Sequence, residues 1–130
     1  MDRLPQRLPH TVSGVSAGAF MAVQHHVVWS ADVDAVGAVA GGPFWCAQSD
    51  AIVAQTSCMR APELIDVGEL VIVTLDTYAS GLIDSPRNLA GDRVWLFSGQ
   101  RDTVVHRGTP RLRATPPSIC LHRAAHAQSG

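Results

Sequence analysis

A serine with glycine two residues away on each side, Gly14-Val15-Ser16-Ala17-Gly18, lies between a short β-prone segment and a stretch of helical periodicity. That order leaves few folds open. Gly-x-Ser-x-Gly joining a strand to a helix is the sequence form of a nucleophile elbow, a turn so sharp that its serine occupies strained backbone. Side chains two residues to either side would collide with neighbouring structure, and glycine at both flanks is expected to remove that collision. Upstream, Thr11-Val12-Ser13 follows Pro9; downstream, Phe20, Met21, Val27 and Val28 recur at helical spacing with Ala17 on the same face. Such a turn points the Ser16 hydroxyl out of the sheet and sets backbone N–H groups of the helix start, Ala17 among them, near any oxyanion formed on an attacked carbonyl. The bland alternative is a small-residue helix start capped by Ser13 or Ser16.

The rest of the chain extends this unit. Residues 33–40 form a valine-rich run closed by Gly41-Gly42-Pro43, the pattern of a buried parallel strand. Strand, turn, helix and strand make one βαβ unit, so the expected class is α/β with a mostly parallel sheet. Residues 47–57 can be helical. Residues 63–79 favour a helix by their length, with Leu64, Val67, Val71, Leu75 and Tyr78 on one face, although 70–75 is also β-prone. Residues 80–92 read as a connection, and Arg93–Phe97 as a compact strand ending in Ser98-Gly99. Ligands of open α/β sheets bind beyond the carboxyl ends of the strands, so Asp102, a few residues past this strand, is expected to share a rim with Ser16. Residues 1–10 are an N-terminal extension, 11–106 one partial domain, and 107–130, rich in Arg, Pro, Thr and Ala, a poorly ordered tail.

Composition closes off several functions. With 130 residues, 46% hydrophobic content and a net charge of −1, the chain supports one modest core and carries no basic patch suited to nucleic acid. Its apolar runs stop short of the roughly 18 to 20 residues that a membrane helix needs, and residues 1–9 contain no apolar segment of a secretory signal. Three cysteines, Cys46, Cys58 and Cys120, permit one disulfide and leave one thiol over. A Cys46–Cys58 bridge closes a loop of ordinary length but requires an oxidising compartment. No Cys-x-x-Cys or paired-histidine spacing points to a metal, and no cofactor is expected. His25 and His26, two turns along the helix after Ser16, are read as surface or packing residues, and His106 and His122 as solvated. Trp29, Trp45 and Trp95 fit a core better than a cleft.

Three ordered blocks then carry a family likeness: Val12-Ser13-Gly14-Val15-Ser16-Ala17-Gly18-Ala19-Phe20-Met21-Ala22-Val23-Gln24, Ala40-Gly41-Gly42-Pro43-Phe44-Trp45-Cys46-Ala47, and Leu96-Phe97-Ser98-Gly99-Gln100-Arg101-Asp102-Thr103-Val104-Val105. Together they resemble the extracellular poly(3-hydroxybutyrate) depolymerases of fungal type and their eukaryotic relatives. The resemblance implies a circularly permuted α/β-hydrolase fold, here partial, with Ser16 as nucleophile, Asp102 as triad acid and the Cys46/Cys58 pair as a family disulfide. It also implies a secreted enzyme that acts on short-chain polyesters of 3-hydroxy acids and their oligomers, by acyl transfer to serine and then to water. The departures are length, since family members are at least about twice as long, and the absence of the Ala-x-His-x-Phe-Pro-Thr context of the triad histidine. His126, in Ala124-Ala125-His126-Ala127, is the nearest local likeness and is assigned as the general base. The expected function is a serine esterase without metal or organic cofactor. The alternatives are an inactive truncated relative lacking a complete triad, or a small non-catalytic binding module.

Overall fold

The computed structural model describes residues 8–105; the expectations for His106, His122, His126, Cys120 and the 107–130 tail lie outside them. Three parallel strands, β1 (His10–Val15), β2 (Val33–Val39) and β3 (Arg93–Phe97), form a sheet in that order. Helix α1 (Ala17–Val28) crosses from β1 to β2. Between β2 and β3 the chain makes a short helix α2 (Ala51–Val53), continued as a wide π turn over Ala54–Cys58, and then helix α3 (Val67–Ala79). This is the α/β-hydrolase type of layering in partial form, three strands with helices.

Strand register explains where the core sits. Val12, Val36, Ala38, Val94 and Leu96 alternate onto one face and pack with Ala19, Ala22, Val23 and Val27 of α1, closed by Phe44, Ile83 and Leu89. On the other face Val15 and Trp95 remain exposed, and the Trp95 and Phe97 rings stack 5.9 Å apart. Within the described residues β2 is therefore covered on one side rather than both, and its alternation of buried Val36 and Ala38 with half-buried Ala35 and Gly37 follows from that.

Both long helices form where their periodicity places them, with rotated faces. On α1 the buried residues are Ala19, Ala22, Val23, His26 and Val27, while Met21 is exposed. Small side chains let the helix approach the sheet closely, which the larger Phe20 and Met21 would prevent. Helix α3 begins at Val67, capped by Asp66, whose Oδ1 accepts from Glu69 N–H at 3.1 Å. It buries Leu70 and Thr74, not the expected stripe: Leu64, Leu75 and Tyr78 are exposed. All three tryptophans are exposed too, against their expected place in the core.

The amino ends of β2 and β3 are tied to the base of α1 through side chains. Fully buried His26 meets Asp92 Oδ2 through Nε2 at 2.7 Å. Ser30 Oγ donates to the Ser85 carbonyl at 3.0 Å, and Asp84 Oδ2 accepts from Ala31 N–H at 3.0 Å.

Candidate active site

Ser16 stands between the last residue of β1 and the first of α1, at φ 54 and ψ −120, in a region that an L side chain seldom occupies. The backbone around it is over-determined. Ser16 N–H donates to the Val39 carbonyl at 2.8 Å, continuing the β1–β2 ladder past the strand, and the Ser16 carbonyl accepts from Ala19 and Phe20 N–H at 2.9 and 3.1 Å, starting the helix. One step across the sheet Ala40, also at φ 54, donates its N–H to the Phe97 carbonyl at 2.9 Å.

The Ser16 hydroxyl makes no capping bond to α1, which disposes of the capping alternative for this residue. Its neighbour Ala17 lies in the first helical turn, where N–H groups lack intrahelical acceptors.

The two glycines of the motif do different work. A Cβ at Gly14 would lie 2.2 Å from both the carbonyl carbon and oxygen of Gly18, so the turn cannot close over any other residue there. A Cβ at Gly18 would meet nothing within 4 Å, which corrects the expectation that both flanks are sterically required. Gly41 shares the first role, since a Cβ there would come within 2.8 Å of the Ala19 Cβ. The turn is thus packed tightly from the strand side and open on the helix side.

Beside Ser16 a cleft of about 380 Å³ opens between α1 and residues 43–59. Ser16, Ala17, Phe20, Met21 and Gln24 form its helix wall, and Pro43, Trp45, Ala54 and Met59 contribute to the facing one. Cys46 and Cys58 are joined by a disulfide, their Cα atoms 5.9 Å apart, and both line the cleft. The loop they close contains two non-glycine residues in the left-handed region, Gln48 and Ser49, with a third, Trp45, just before it, and Asp50 caps α2 through bonds from Ile52 and Val53 N–H at 2.7 and 3.3 Å. The π turn brings fully buried Cys58 to Cys46. Helix was expected over 47–57, and only its second half is helical, because the left-handed residues turn the chain first.

Asp102 lies on the loop after β3, at the same carboxyl rim of the sheet as Ser16, but does not line the cleft. Its Oδ1 accepts from Val104 and Val105 N–H at 2.9 and 3.0 Å. Those bonds, from Val105 first and Val104 second, hold its carboxyl below the ordinary aspartate range against a small opposing cost of burial. The structure therefore brings Ser16, Ala17, Cys46 and Cys58 to one cleft, sets Asp102 on the loop after β3 at the same rim of the sheet, and leaves His126 outside the described residues.

The described histidines face other partners. His10 Nδ1 meets the Asp32 carbonyl at 3.1 Å, His26 pairs with Asp92, and His25 is exposed. Among the described residues no three His, Cys, Asp or Glu side chains gather as a metal site would require, and no helix is long and apolar enough to cross a membrane. Sequence reasoning missed Gln24, whose Oε1 accepts the Trp45 N–H at 3.0 Å. Its helical spacing from Ala17, Phe20 and Met21 was the available signal.

No protein-family model matches the chain. A poly(3-hydroxybutyrate) depolymerase of Delftia acidovorans is 46% identical over 99 residues, which are 75% of this chain and 20% of the relative. Two solved structures share the fold. A PHB depolymerase complexed with R3HB trimer is 30% identical, with a TM-score of 0.63, over 76% of this chain and 30% of its own. The PHB depolymerase from Penicillium funiculosum is 29% identical, with a TM-score of 0.66, over 81% of this chain and 31% of its own. The chain thus spans a minor part of the length of each.

Proposed function

Because the chain belongs to the poly(3-hydroxybutyrate) depolymerase family, of whose members it spans a part, we propose that it carries the nucleophile half of a serine esterase acting on polyesters of 3-hydroxy acids. Residues 11–106 are its hydrolase part. Ser16 attacks the ester carbonyl, a histidine base takes its proton and returns it to the leaving alcohol, and water then releases the acyl group. Asp102 orients that base, a role for which His126 is the candidate in this sequence. Ala17 N–H donates to the tetrahedral oxyanion.

One observation carries the reading: a serine held at φ 54 on a strand-to-helix turn, its hydroxyl spent on no cap, beside an apolar cleft. A helix start built for stability would use that hydroxyl as a cap. A carboxylate kept ionised by two loop amides at the same rim is suited to holding an imidazolium.

The second reading, a polyester-binding relative without turnover, draws on the engagement of Asp102 Oδ1 by its own loop and on the other partners of the described histidines. Labelling with a fluorophosphonate probe separates the two. We expect the folded chain to be labelled and Ser16→Ala to lose at least about a thousandfold of that reactivity. A folded chain that stays unlabelled supports the second reading.

A further inference from the structure

The wall of the cleft facing α1 is made from backbone that does not favour its own conformation. Trp45 sits at φ 59, followed at Gln48 and Ser49 by φ 49 and 61, and bulky residues hold such angles only where their surroundings impose them. Two ties impose them here. One is the disulfide from the next residue, Cys46, to Cys58; the other is the bond from Trp45 N–H to Gln24 Oε1. A backbone N–H only donates, so the Gln24 amide oxygen must face it, which fixes how this half-buried side chain stands between the two walls. Gln24 thereby links the helix that begins at Ser16 to the loop opposite it. The Trp45 ring beyond that link is 39% exposed, lines the cleft, and lies near Phe44, ring centroids 6.4 Å apart. The cleft, at about 380 Å³, falls in the range of small-molecule sites, roughly 300 to 1,000 Å³, and is larger than a simple acetyl group needs.

We infer that Gln24 is a positioning residue that sets Trp45 as the specificity wall of this cleft, so that the site takes an apolar hydroxyacyl oligomer in preference to a short acyl group. The inference deepens the esterase reading and rests on it for turnover, but not for binding. Without the amide oxygen, the Trp45 segment loses its tie to α1, the wall swings away from the helix, and contact with the oligomer is lost while the reacting carbonyl still reaches Ser16.

The test compares Gln24→Met, which keeps length and removes the acceptor, with Gln24→Glu, which keeps an acceptor at the same reach. The full chain is titrated with the (R)-3-hydroxybutyrate trimer, followed by backbone amide NMR shifts, and steady-state hydrolysis of the trimer is measured in parallel. Gln24→Met is expected to weaken trimer binding roughly tenfold, as loss of one hydrogen bond to a held group does, and to raise KM by a similar factor with kcat within about twofold. The Trp45 amide proton should move upfield in Gln24→Met and stay in place in Gln24→Glu, which should also bind as the parent does. Should Gln24→Met fail to fold, Trp45→Ala removes the wall directly and is expected to weaken binding at least as much. Trimer bound equally by parent and Gln24→Met, equal losses in both Gln24 variants, or a parent that does not bind the trimer would each overturn the inference. A parent that binds the trimer without hydrolysing it overturns the esterase reading alone, and the binding comparison still decides the role of Gln24.

Discussion

The two rims of the sheet are held together by different mixtures of bonds. At the carboxyl rim the strand ends are joined by backbone alone, Ser16 and Ala40 bonding across to Val39 and Phe97 from left-handed conformations, and the facing loop adds Trp45, Gln48 and Ser49 in that region under the Gln24 and disulfide ties. At the amino rim side chains share the work with backbone: His26 meets Asp92, Ser30 bonds to Ser85 and Asp84 to Ala31, beside backbone bonds from Asp84 N–H to the Val28 carbonyl and from His10 N–H to the Asp32 carbonyl. One end of this sheet is a lock and the other a mounting. Side-chain ties at the amino rim secure α1 to the sheet, which lets the carboxyl rim hold strained backbone and an uncapped hydroxyl beside open space.

The carboxyl rim is most vulnerable at Gly14. Gly14→Ala would force a methyl group into the Gly18 backbone, and we predict a loss of roughly 3 kcal/mol or more in urea unfolding, with probe labelling at Ser16 lost as well. A mild effect would mean that the turn is looser than its contacts. Asp92→Ala removes the carboxylate that buried His26 meets and is expected to cost about 1 to 3 kcal/mol, read as a lower unfolding midpoint, with labelling at Ser16 retained. If labelling fell before stability did, the two rims would not be independent.

A smaller effect of opposite sign is expected at Gly18. Its Cβ position is open and it lies within α1, so Gly18→Ala should stabilise by up to about 1 kcal/mol in the same unfolding assay. The smallest effect is one of pH. Because the Asp102 carboxyl is held below its ordinary value, the order it gives its loop is fully present above about pH 3.9 and is lost as pH falls through the lowered value. The Val104 and Val105 amide proton shifts should titrate together with a midpoint below about 3.9. A midpoint at or above that figure would remove the two loop amides as the cause.

How much of this was legible in the sequence follows the same division. The β1–α1–β2 unit could be read because its signals are local: a glycine that only a tight turn needs, a valine run and helical spacing. The carboxyl-rim positions of Ser16 and Asp102 followed from strand order alone. Helix faces could not be read so well, since both helices bury small or polar residues, Ala19, Ala22 and Thr74, where hydrophobic weight pointed to Met21 or Leu75. The cleft wall was hidden for another reason, because Trp45, Gln48 and Ser49 do not advertise positive φ as glycine would. The His26–Asp92 pair spans 66 residues, and no spacing rule joins residues that only the closed sheet brings together.

The two cross-strand bonds at the carboxyl rim have a metrological consequence. Ser16 is indexed to the end of β2 through Val39, and the segment leading to Asp102 is indexed to the same end through Ala40 and Phe97. The central strand is thus the common datum from which both candidate catalytic positions are measured. A shift of β2 along its own axis carries the two together and preserves their spacing, whereas disturbing one ladder alone throws them out of alignment with every other contact intact.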